Sequence, residues 1–153
     1  MQQQRLLSLE VDARRARCYE EGWQSWSPSG VYPLLATPPR ATSALNYRGN
    51  YGGTRPMPEP GTFSGEGLLA LDPGTGEPIV VIGADDADDA VPRITARQSG
   101  TEVTIWADGP VSVTEHPAQA GVPAALAAFG DRFAARASVP PLRPAPTMWC
   151  SWY

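Results

Sequence analysis

The sequence contains no lysine; all 12 of its basic residues are arginines. Gly61-Thr62-Phe63-Ser64-Gly65-Glu66-Gly67 resembles a phosphate loop in its glycines. It lacks the Gly-Lys-Ser/Thr ending that would meet the phosphates, so that reading is excluded. No basic run appears and the net charge is −4, which leaves no footprint for nucleic acid. Cys18 and Cys150 are the only cysteines and His116 the only histidine. Three dispersed residues do not make a zinc site, and both thiols are expected to be buried or free. The stretch Met1 to Glu10 has no apolar core of signal-peptide length. No run reaches the length that spans a bilayer. These absences predict a soluble, cytoplasmic protein with no membrane partner.

A carboxylate pair placed for acid/base chemistry is also missing. Retaining glycosidases set two carboxyl groups about 5 Å apart across the bond they cleave. The acidic residues here fall in turns and loops. Asp85-Asp86-Ala87-Asp88-Asp89 reads as a solvated loop, without the Gly and terminal Glu of a calcium loop. His116 precedes Pro117 at a strand end and reads as a surface or turn histidine.

What is abundant points to a packed, turn-rich domain. The 153 residues are 42% apolar, with 15 Gly and 17 Pro. That length suits one domain with a sizeable core, built from short strands rather than long helices. Residues 1–20 alternate weakly and read as one strand or a frayed end. Residues 31–62 have little periodicity and hold a long loop rich in Pro and Gly. From Thr62 onward, strands dominate. Leu68-Leu69-Ala70-Leu71 and Ile79-Val80-Val81-Ile82 flank Asp72-Pro73-Gly74-Thr75-Gly76, a hairpin. Ile94 to Arg97 and Val103 to Trp106 flank Gln98-Ser99-Gly100-Thr101, a second hairpin. Val111 to Thr114 alternates as a further strand. The spacing of Leu126, Phe129 and Phe133 predicts one helix from about Pro123 to Arg136, packed through that face. A stiff linker with Pro140, Pro141, Pro144 and Pro146 follows. After it stands an aromatic segment, Met148-Trp149-Cys150-Ser151-Trp152-Tyr153, which reads as the first buried strand of a further domain. The chain is therefore expected to be a truncated piece of a longer protein.

Two aromatic motifs carry the functional reading. In Trp23-Gln24-Ser25-Trp26, two indoles flank a polar pair, and Ser27-Pro28-Ser29-Gly30 follows. Such aromatics are ordinary packing or a sugar platform. In the second case the C–H face of a pyranose lies on an indole while neighbouring polar groups take its hydroxyls. Trp149-Cys150-Ser151-Trp152-Tyr153 is likewise either a buried strand or the C-terminal end of a barrel strand, where barrel active sites sit.

The Trp-Gln-Ser-Trp segment with its Ser27-Pro28 resembles the N-terminal domain of family 36 glycoside hydrolases, the α-galactosidases. Trp149 to Tyr153 resembles the opening of their catalytic (β/α)8 barrel. The order of motif, long loop, strands, helix, linker and barrel opening is also similar, and the likeness spans nearly the whole chain. It implies a mainly β fold, an antiparallel β-sandwich with one C-terminal helix followed by the first barrel strand. The implied domains are 1–137, a sandwich incomplete at its N-terminus; 138–147, a Pro-rich linker; and 148–153, the barrel strand. It implies that Trp26, Trp152 and Tyr153 bind an α-galactoside, with Trp23 and Trp149 as structural aromatics. No catalytic residue is expected in this chain, because the family's two catalytic Asp residues would lie beyond residue 153, and the resemblance implies no metal or organic cofactor. Two other readings stay open: a stand-alone carbohydrate-binding sandwich, and a related glycosidase with different sugar specificity.

Overall fold

The computed structural model describes residues 3–22, 27, 29–35, 61–85 and 90–141. Nine strands form two antiparallel sheets. In chain order they are β1 (Gln4–Glu10), β2 (Arg17–Glu20), β3 (Gly30–Pro33), β4 (Thr62–Glu66), β5 (Leu68–Asp72), β6 (Ile79–Ala84), β7 (Arg93–Ser99), β8 (Glu102–Ala107) and β9 (Val111–His116). One sheet has the order β1-β8-β7-β4 and the other β3-β2-β5-β6-β9. A short 3-10 turn, Ala118–Ala120, leads into the helix α1 (Gly121–Arg136).

Both predicted hairpins are present. In the first, Leu69 stands opposite Ile82 and Leu71 opposite Val80. In the second, Ser99 stands opposite Glu102, leaving a two-residue loop of Gly100 and Thr101. Gly100 has φ of 61°, the left-handed value that the first central residue of a type II′ hairpin turn requires. The strands from β4 to β9 are antiparallel as the alternation predicts.

The first 35 residues hold more structure than their sequence announces. Besides β1, they contribute β2 and β3, which pair with each other from Arg17↔Pro33 to Glu20↔Gly30. Both strands have four residues, too short for a periodic signal to rise above noise. What makes them strands is β5, which β2 pairs from Arg17↔Asp72 to Glu20↔Leu69.

The core lies between the sheets. Phe63, Leu69, Leu71, Ile82, Ile94, Val103 and Ile105 are fully enclosed there, with Cys18. A second apolar cluster sits on the outer face of the five-stranded sheet. Ala70, Ile79 and Val81 face α1, which covers them with Val122, Ala125, Leu126 and Phe129. The Phe129 ring lies over Gly83, where a Cβ would come within 2.0 Å of Cε2. A side chain at 83 would therefore lift the helix from the sheet. The helix begins two residues earlier than predicted, and its most buried positions are Val122 and Ala125. Phe133 meets the Phe129 ring, with centroids 6.0 Å apart, and so extends the apolar stripe beyond the sheet cluster. Arg136 in the last turn pairs with Asp85 at 3.6 Å. A cation there suits the negative end of the helix dipole, and the pair ties the end of α1 to the end of β6.

Candidate functional site

The sandwich has two ends. At one, which we call the upper end, lie the C-terminal ends of β2, β4 and β6 and the start of β3. The chain passes from β2 to β3 there, through the Trp23–Trp26 segment. Antiparallel α1 returns to the same end, as the Arg136–Asp85 pair shows. The approach to the 138–147 linker thus also starts there. Trp23, Trp26, Trp149, Trp152 and Tyr153 themselves lie outside the described residues.

The flanks of the first motif are tightly held. A Cβ on Gly22 would come within 2.4 Å of the Ser27 Cβ, so the chain leaves and re-enters through one narrow base. The Gly22 N–H donates to Ser29 Oγ at 2.9 Å, and the Ser29 hydroxyl donates to Glu21 Oε1 at 3.3 Å. The Tyr19 hydroxyl donates to the other oxygen of Glu21. Burial pushes the Tyr19 phenol well above its ordinary range, and the Glu21 carboxylate adds to this. Tyr19 is therefore a constant hydrogen-bond donor at physiological pH.

Glu20 is the one buried carboxylate among the described residues, at 2% exposure. It accepts the Ser64 N–H at 2.7 Å. Beside it, the Glu66 N–H donates to the Glu21 carbonyl at 3.0 Å. These two bonds join β2 in one sheet to β4 in the other. A backbone N–H inside the sandwich needs an acceptor, and the Glu20 carboxylate supplies one where no ladder partner exists. Farther along this end, the Arg93 N–H donates to Asp108 Oδ1 at 2.6 Å, and Arg93 Nε lies 4.0 Å from Glu66. All these carboxylates are engaged in holding loops and sheets. The arrangement positions the base of the Trp-bearing segment.

Glu20 was not singled out by its sequence context, yet a signal was present. In Arg17-Cys18-Tyr19-Glu20, strand alternation puts Glu20 on the face of Cys18, which is fully buried. Cys18 is buried in the core, as expected for one of the pair; Cys150 lies outside the described residues, as do Asp86 to Asp89. His116 is half-buried, with Nε2 3.2 Å from Thr114 Oγ1, which also accepts from Arg132 Nη2 at 3.0 Å. No group of three or more His, Cys, Asp or Glu able to hold a metal occurs among the described residues. No described helix is long and apolar enough to cross a membrane. Comparison of the chain with family models, with curated proteins and with solved structures finds no match.

Proposed function

We propose that this chain is the N-terminal sandwich of a retaining, α-galactosidase-type glycosidase, supplying scaffold and part of the pocket for terminal α-galactosides. The two aromatic motifs carry this reading through their resemblance to family 36. One structural observation supports it: the clamped base of the Trp23–Trp26 segment and the C-terminal end of α1 share one end of the sandwich. A downstream barrel attached there would meet the first motif. In this reading Trp26, Trp152 and Tyr153 form apolar walls for the sugar, and Trp23 and Trp149 pack the protein. The bond-breaking carboxylates belong to the barrel, so the chain alone should not turn over an aryl α-galactoside.

The deciding observation is the reading frame after codon 153. A continuing frame that encodes repeated strand–helix units supports the proposal. A stop codon there, with galactose binding by the purified chain, favours the stand-alone carbohydrate-binding sandwich instead. That second reading draws on the two-sheet core within residues 3–141. In a complete enzyme, Trp26→Ala should lower kcat/KM by about 1–3 kcal/mol of lost aromatic contact. Unchanged kinetics in that variant would remove Trp26 from the pocket.

A further inference from the structure

The two long sides of the sandwich are closed differently. On one side, the Glu20 and Glu21 bonds join β2 to β4. On the other, β1 and β9 are both edge strands, and no hydrogen bond among the described residues joins them. Val113 stands opposite Ile82 on the inward face, yet it is 44% exposed whereas Ile82 is fully buried. Across the gap, Leu7 and Leu9 of β1 point inward and stay half-buried. The result is an apolar seam bordered by two strand edges that have no ladder partner among the described residues. At its lower mouth opens a cleft of about 480 Å³, lined by Leu9, Val80, Pro73 and Pro78 and by the carboxylates Glu10, Glu77 and Glu115. None of the lining residues is basic.

We infer that this seam takes up an extended strand of a partner protein, paired antiparallel with β9. Unpaired edge N–H and C=O groups are a template for such addition. Its apolar residues would cover Val113, Leu7 and Leu9. Because β9 runs toward Glu115, an antiparallel strand begins at the acidic mouth, so its N-terminal residues should be arginine or lysine. The bulge in β1 between Arg5 and Leu7 blunts that edge, since bulges interrupt ladder pairing. That leaves β9 as the receiving strand. This inference stands apart from the α-galactoside reading, which concerns the upper end.

The test uses the whole chain with a fluorescein-labelled peptide, Arg-Arg-Val-Thr-Val-Thr-Val-amide, and the same peptide with Glu-Glu in place of Arg-Arg. Fluorescence anisotropy should show saturable binding of the first and none of the second. Hydrogen exchange should slow at the amides of Val111 to His116. Glu77→Arg with Glu115→Arg should weaken binding at least about tenfold by removing the charge match. Both residues are exposed, so the thermal midpoint should stay unchanged. Equal binding of the two peptides, protection at β3 or β4 instead of β9, or no binding would overturn the inference. So would a chain that dimerises through β9, since a second copy would then occupy the seam.

Discussion

The two sheets of this sandwich do different work with similar lengths of chain. The five-stranded sheet is covered on both faces through β5 and β6: by the opposite sheet on one side and by α1 on the other. All six residues of β6 are buried. The four-stranded sheet is covered by described elements on its inner face alone, and β8 alternates strictly between exposed or half-buried residues and buried ones. Ile79-Val80-Val81-Ile82 against Glu102-Val103-Thr104-Ile105 is thus the imprint of two neighbours against one. The lesson is that a continuous apolar run in a short strand marks where a helix will dock.

That comparison can be broken at its common layer first. Phe63→Ala empties a fully buried site that serves both sheets and should cost about 3–5 kcal/mol in a denaturant titration. A smaller loss would mean that the sheets are less interdependent than their shared core implies. The doubly covered sheet can be tested next. Gly83→Ala forces Phe129 away and should cost about 1–3 kcal/mol as overpacking. Adding Phe129→Leu should recover part of that loss, because the two sites are in contact and couple. Strictly additive losses would show that α1 does not rest on Gly83.

A matched pair of exchanges sharpens the contrast further. Val81→Thr puts a hydroxyl beneath α1 and should cost about 1–3 kcal/mol. Thr95→Val, on the outer face of the four-stranded sheet, should stay within about 0.5 kcal/mol, as surface exchanges do. Equal costs at the two positions would refute the asymmetry.

The smallest effect is electrostatic. His116 lies at the margin of the helix-covered face, opposite Ile79. Burial lowers its pKa below 6.5, and the nearby Arg132 lowers it further. A depressed folded-state pKa means that the unfolded chain takes up the proton first. Stability is therefore unaffected by His116 above pH 6.5 and falls as pH drops through and below that value. His116 is the only histidine, so its NMR titration is unambiguous. Arg132→Gln should move the midpoint upward, though not fully to 6.5, because burial is the larger cause. An unmoved midpoint would assign the whole shift to burial.

The candidate site was less legible than the fold. The Trp23–Trp26 motif stands out in the sequence, but the groups that clamp its base do not. Glu21, Ser29 and Tyr19 come from both sides of the motif, and their bonds exist only because β2 and β3 pair. Ser64 lies 44 residues from Glu20, its partner, and no local pattern links two positions so far apart.

The sequence by itself determined the strands from Thr62 to His116, their two hairpins and the single helix. Alternation, turn glycines and helical spacing are local, and each acts within a few residues. Only the tertiary structure decided that Arg17–Glu20 and Gly30–Pro33 are strands, since they gain their backbone partners from each other and from β5. It also decided that Glu20 is buried as a tie between the sheets. A carboxylate enters a core only where its charge meets donors, and the Ser64 N–H reaches it through the packing of one sheet upon the other.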